Sequence, residues 1–115
     1  MLDTITPPET LRTIRSINDE CRKTFTGCAI VLTAAVADLP LDIRARVLAA
    51  VRTFNKFSEG NDPHHEHDCA FFDEDGQRYF FLFSYYRRDL RCGSNDPSDP
   101  ELTQRILLIG EESEW

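Results

Sequence analysis

The chain has no long hydrophobic run. Its longest, Cys28–Leu32, gives way to Thr33 and soon to Asp38, far short of the roughly 18–20 apolar residues a membrane-crossing helix needs. The opening Met1-Leu2-Asp3-Thr4 has neither a basic segment nor an apolar stretch behind it. A cytoplasmic protein without a membrane partner is therefore expected. Cysteine occurs four times, as Cys21, Cys28, Cys69 and Cys92, never as C-x-x-C. That argues against a zinc knuckle and predicts free thiols in a reducing compartment. The five glycines are scattered, so no G-x-x-x-x-G-K-[ST] phosphate loop is present. G-x-S-x-G and H-E-x-x-H are also missing, which disfavours nucleotide binding by that loop, an elbow serine and a helical zinc site. Positive charge is scarce: 13 Lys and Arg face 20 Asp and Glu, for a net charge of −7. Nucleic acid and anionic lipid are poor partners for such a surface. The scarcity is local as well, since Ser58–Asp75 holds seven acids and neither Lys nor Arg.

What is present suits one globular domain over residues 1–115, with 41% hydrophobic and 29% charged content, enough for a single core. Thr6-Pro7-Pro8-Glu9 reads as a capping box with proline in the first turn. Leu11, Ile14, Ile17, Cys21 and Phe25 then recur at helical spacing, and Gly27 is placed to end that helix. Cys28–Thr33 reads as a buried strand. Pro40 opens a second helix with Asp42 in its first turn and Ile43, Val47, Ala50, Phe54 and Phe57 as its buried stripe; Asp42 and Arg46 are spaced for an ion pair. Residues 58–68 form a loop by their Gly, Asn, Asp and Pro. Strands over 68–74 and 77–86 meet at the hairpin dipeptide Asp75-Gly76. The second of them is apolar on both faces, so cover on both is expected. A loop from Arg87 to Pro100, a strand over 103–109 and an acidic, frayed tail that Trp115 could anchor complete the order α-β-α-β-β-β. The class is α+β, two helices on a mainly antiparallel four-stranded sheet.

All three histidines lie in Asn61-Asp62-Pro63-His64-His65-Glu66-His67-Asp68. If 65–69 is extended, His65, His67 and Cys69 point the same way. Imidazole and thiolate at that spacing suit zinc or another borderline metal, with an oxygen ligand from Asp62 or Asp89, and Asp62, His64, His65 and His67 are the metal-ligand candidates. Acid–base chemistry would fall to His67, Asp68 and Asp89, with a carboxylate such as Asp89 or Asp96 orienting the imidazole. Cys69, Cys92, Ser84 and Ser94 are weaker nucleophile candidates. Tyr85-Tyr86-Arg87-Arg88-Asp89-Leu90-Arg91 could stack bases and pair phosphates, against the plainer reading that Arg88 or Arg91 pairs with loop aspartates. Asn61-Asp62-Pro63 and Asn95-Asp96-Pro97 flank the hairpin, and such turns hold loops rigid through side-chain bonds to the backbone. A hairpin brings its ends together, so the two loops should meet at one end of the sheet. Asn61, Glu66, Tyr86, Arg88, Arg91, Asp96 and Asp99 are the binding candidates there.

The ordered set Arg15-Ser16-Ile17-Asn18-Asp19, Thr26-Gly27, Asn61-Asp62-Pro63-His64, Glu66-His67-Asp68, Tyr85-Tyr86, Arg88-Asp89-Leu90-Arg91 and Asp96-Pro97-Ser98-Asp99-Pro100 resembles a domain-of-unknown-function family of uncharacterised bacterial proteins. That family is seen mostly in alphaproteobacteria and often on plasmids. The resemblance runs from about Leu11 to Ile109 and implies a cytoplasmic, plasmid-linked accessory protein, with no reaction attached. The family pattern carries an aromatic and a glycine after the His-Asp pair, where this chain has Cys69 and Ala70, so a role built on Cys69 would not be a family property. The leading expectation is an accessory or interaction protein that binds a protein or small molecule at the polar loops. The alternative is a small metal-dependent or acid–base hydrolase at His64–His67.

Overall fold

The computed structural model of the chain describes residues 9–90 and 92–115. The Thr6-Pro7-Pro8 helix start and Arg91 lie outside them. Helix α1 spans Glu9–Thr24, strand β1 Ala29–Leu32, the single-turn helix α2 Ala34–Ala37 and helix α3 Leu41–Thr53. Strands β2 (Cys69–Glu74), β3 (Gln77–Arg87) and β4 (Thr103–Glu111) follow, then a 3-10 turn at Glu112–Glu114. The four strands form one sheet in the order β1-β4-β3-β2. Only β1 runs parallel to its neighbour, pairing Ala29–Leu32 with Ile106–Ile109 of β4. The predicted α+β class and element order hold, with α2 and the closing turn added; both are too short to carry a periodic signal.

The first helix ends differently from the expectation. Phe25, not Gly27, takes the left-handed cap (φ +56°), and its N–H bonds Cys21 O at 2.7 Å. Gly27 serves the turn beyond it at φ +81°, where an added Cβ would come 3.2 Å from Cys21 Sγ. The second helix also stops early. Val47 and Val51 are its buried residues, while Phe54 and Phe57 belong to the extended chain that follows. Strand β1 is an edge strand whose residues alternate between exposed and half-buried, rather than the buried strand its β-branched run suggests. Asp42 and Arg46 do pair, at 3.6 Å on the exposed face of α3.

Hairpin β2–β3 turns through Asp75 (φ +54°) and Gly76 (φ +79°), the left-handed pair a tight hairpin requires. Both long helices pack on one face of the sheet, against Tyr79, Phe81, Phe83, Leu107 and Ile109. Among the described residues, the other face is covered only at one end. There Trp115 packs 4.9 Å from Phe71 and 5.0 Å from Phe80, ring to ring. Glu114 accepts from Thr33 Oγ1 and from the N–H groups of Ala35 and Glu111. The tail is thus docked rather than frayed, and cover fades along β3 from buried Phe80 to exposed Tyr86. Gly110 makes this docking tight: a Cβ there would meet Phe80 Cζ and Thr33 Cγ2, each at 2.7 Å. Gly110→Ala is expected to destabilise the fold by about 1–3 kcal/mol through overpacking, measured by chemical denaturation; an unchanged midpoint would contradict this packing.

Candidate functional site

Helix α1 turns Ile14, Asn18, Cys21 and Arg22 toward the sheet, and all four are buried. Two polar side chains therefore enter the core from a face whose apolar stripe alone was legible. Strand β4 does the same by its alternation, burying Thr103, Arg105, Leu107 and Ile109. Arg105 is only 1% exposed. A buried guanidinium has to find partners, and this one does. Its Nε donates to Asn18 Oδ1 at 2.8 Å and an Nη donates to Pro97 O, while the guanidinium lies 5.0 Å from the centre of the Tyr85 ring. Asn18 Nδ2 in turn donates to Glu66 O at 3.0 Å and to Tyr85 Oη at 2.7 Å. Tyr85 Oη donates to Glu66 Oε1 at 3.0 Å. One polar chain, Glu66–Tyr85–Asn18–Arg105–Pro97, buried at Asn18 and Arg105 and half-buried at its ends, thus ties the histidine loop to the second Asn-Asp-Pro loop. Burial pushes the Tyr85 phenol well above its ordinary pKa and lowers that of Arg105.

The loops also adjoin along β3. Phe83 N donates to Asp68 O at 2.7 Å, and beyond the end of β2 the returning loop takes its place: Ser94 N donates to Tyr85 O at 2.9 Å, and Tyr86 bridges Gly93. Three candidates hold the returning loop from within. Asp96 Oδ1 accepts from Ser98 N and Oγ, Asp96 O accepts from Thr103 Oγ1, and Asp99 Oδ1 accepts from Glu101 N. Arg88 donates to Pro100 O, Glu101 O and Gln104 Oε1, so its partners are carbonyl oxygens where aspartates were expected. Among the described residues, Arg87 pairs with a loop aspartate, Asp89, at 2.8 Å. A surface cleft of 360 Å³ opens here between Arg87, Arg88, Asp89, Asn95, Glu101 and Leu102.

The histidine loop is not extended. His65 (φ +58°) and His67 (φ +52°) both adopt left-handed backbone, a region that non-glycine residues occupy at a cost of about 1–3 kcal/mol. The common direction expected for His65, His67 and Cys69 is thereby lost. The conformation is imposed by Asp62, which is buried: its carbonyl accepts from His65 N and its Oδ1 from His67 N. Asn61 secures the same loop by accepting from Ser58 N and donating to Lys56 O. His64 and His65 are exposed.

His67 is turned inward. Its Nδ1 lies 2.9 Å from Asp19 Oδ1 and its Nε2 3.6 Å from Asp62 Oδ2. The carboxylate that orients it comes from α1, not from Asp89 or Asp96. Its ring stacks on Phe57 at 3.8 Å. Arg22, 2% exposed, completes this second cluster: it donates to Asp19 Oδ1, Val51 O and Phe54 O, with its guanidinium 5.3 Å from the Phe57 ring centre and 5.4 Å from that of Phe81. The bonds to Val51 and Phe54 satisfy carbonyls at the end of α3, which explains why the chain leaves the helix there.

Among the described residues, no three His, Cys, Asp or Glu side chains converge as a metal-binding group. Burial pushes the Cys69 thiol up to about 11, which keeps it protonated and a weak nucleophile at neutral pH. Burial also raises Asp68, with Asp62 adding repulsion and His64 and His67 opposing it. The folded state therefore holds the Asp68 proton more tightly than the unfolded chain. The stabilisation from this group is complete below the ordinary carboxylate pKa, about 3.9, and is lost as pH rises through the raised folded value. Asp68→Asn is expected to melt higher than the parent at pH 7 and no higher near pH 3. An equal or lower Tm at pH 7 would contradict the burial assigned to this carboxylate.

Among the described residues, no helix is long and apolar enough to cross a membrane. No curated protein and no solved structure matches the chain. One family model matches residues 32–114, from the last residue of β1 through the C-terminal turn, and the chain belongs to that family, the proteins of unknown function DUF3768.

Proposed function

We propose that this domain is a cytoplasmic protein-binding module that engages its partner through the 87–102 loop and the adjoining histidine loop. The observation that carries the reading is the cleft between Arg88, Asn95 and Leu102, flanked by Tyr86, Leu90 and Leu102 as exposed apolar side chains. Arginine beside an exposed tyrosine is the composition of interface hot spots, and the two leucines add apolar area around it. The loop bearing them is internally bonded, so little ordering entropy is lost on binding. The partner's face would present a carboxylate to Arg88 and apolar side chains to Leu90 and Leu102. Cytoplasmic action is supported by the four cysteines, all of them free, and a plasmid-linked accessory role is what the family resemblance implies.

The test is a photo-cross-linking residue placed at Leu90 or Leu102 of the full chain in the producing cells. A discrete protein adduct is expected at both positions and at neither after Arg88→Glu. No adduct there, or an equal one from exposed Leu41 on α3, would overturn the reading. A second reading, acid–base hydrolysis, has one observation in its favour, the 2.9 Å Asp19–His67 pair. It takes second place because Nε2, the nitrogen that would serve a substrate, faces buried Asp62. Ester or phosphoester turnover by the wild type that His67→Asn abolishes would reverse the ranking.

A further inference from the structure

Strand β2 ends the sheet on one side, and its free edge fits an extended peptide. The register fixes which groups point outward. Asp68 O bonds Phe83 N, and Asp68 stands opposite Phe83 when the pairing of Cys69 with Leu82 is continued by one residue. Antiparallel partners exchange bonds at alternate pairs. Ala70, Phe72 and Glu74 therefore bond toward β3, while Cys69, Phe71 and Asp73 aim their N–H and C=O groups away from the sheet. Among the described residues no backbone group bonds the outward groups of those three. The edge carries no proline, one of the devices that blunt an edge, and its guard against self-pairing is the charge of Asp73 and Glu74.

A cleft of 520 Å³ runs along it, between Phe71, Phe72 and Asp73 on one side and, on the other, Ala50 and Thr53 of α3 with Lys56 of the segment that follows it. Phe71 and Phe72 point to opposite faces of the sheet, so a cleft touching both lies on the strand's edge. A row of outward amides and carbonyls beside a helix-walled groove is the arrangement that takes up a peptide by strand addition. The charge selects the peptide. At the cleft and the adjoining end of the strand, the carboxylates Asp73, Glu74 and Asp75 outnumber the cations, Lys56 in the cleft wall and Arg78 across from Asp73. A second copy of β2 is disfavoured: pairing centred on Phe71 would set Glu74 opposite Asp68 of the other copy, like charge on like.

We infer that the β2 edge is a docking site for an extended, basic peptide segment, which adds to the sheet as a fifth strand with its cations near Asp73 and Glu74. This surface is separate from the 87–102 cleft and does not depend on it. The test starts from a random linear peptide library displayed on phage and selected on the full chain. Lys- or Arg-containing sequences alternating with β-branched or aromatic residues are expected. A synthetic peptide of the selected sequence should bind with an affinity that falls as salt rises. N-methylation of its alternate amides on the sheet-facing side should weaken binding at least tenfold, and on the other side hardly at all. Hydrogen exchange at the Cys69, Phe71 and Asp73 amides should slow on binding. Asp73→Pro removes one outward N–H at an exposed edge position, where proline is tolerated, and Asp73→Asn removes the charge alone; the first should abolish binding and the second only weaken it. The inference is overturned by a selection that yields no binding peptide, by binding indifferent to N-methylation, or by amide protection that appears without peptide as the chain dimerises.

Discussion

Replacing Arg22 by methionine should lower the stability of the fold by about 3 kcal/mol, the loss expected when one member of a buried, hydrogen-bonded charge cluster is removed. The arginine is buried and donates to the carbonyls of Val51 and Phe54 as well as to Asp19. Methionine fills much of its volume and supplies no donor. Two carbonyls at the end of α3 are then left in an apolar setting, each worth about 1–3 kcal/mol when unpaired. The stacking of Phe57 on His67 also loses a neighbour, because the guanidinium packs over the same ring. The observable is a fall in Tm of about 10–20 °C. Asp42→Ala on the exposed Asp42–Arg46 pair should cost less than about 0.5 kcal/mol. A loss below about 1 kcal/mol for Arg22→Met would mean that the cluster is not what fixes the end of α3.

Arg105→Met is the second large effect, again about 3 kcal/mol, and it should act at a distance along the chain. Asn18 Oδ1 and Pro97 O lose their donor together. Pro97 belongs to the returning loop, and Asn18 holds Glu66 in the histidine loop. Hydrogen exchange should therefore quicken at the Ser94 and Phe83 amides, which close the two loops on β3, while the Asp75-Gly76 end of the hairpin is unchanged. Uniform acceleration over the whole chain would indicate simple global destabilisation and contradict a role for Arg105 in joining the loops.

The elements were legible because their signals are local. The Asp75-Gly76 turn and the alternation of β3 need no tertiary knowledge, and the two Asn-Asp-Pro turns act as their side chains predict. Apolar periodicity could not supply the polar residues that enter the core. Asn18 and Arg22 follow Ile14 at successive four-residue steps, hence on its face of α1. Arg105 occupies an inward position between Thr103 and Leu107 on β4. Reading those faces without regard to polarity would have found all three. The orientation of His67 was beyond reach for another reason. The left-handed backbone at His65 and His67 follows from bonds to Asp62, and nothing in the residue types forecasts it. The α1 residues of the network precede the family-matched span 32–114, so the family model alone would also have missed them.

The central claim is that one polar chain, buried at Asn18 and Arg105, couples the two loops through Tyr85, Asn18 and Arg105. A double-mutant cycle of Tyr85→Phe with Arg105→Met, read by equilibrium denaturation, tests it most directly. Phenylalanine keeps the ring beneath the guanidinium, so the cycle isolates the hydroxyl's link through Asn18. A coupling energy of about 1 kcal/mol is predicted, as for residues that share a network. Additivity within about 0.3 kcal/mol, the behaviour of independent sites, would contradict the coupling.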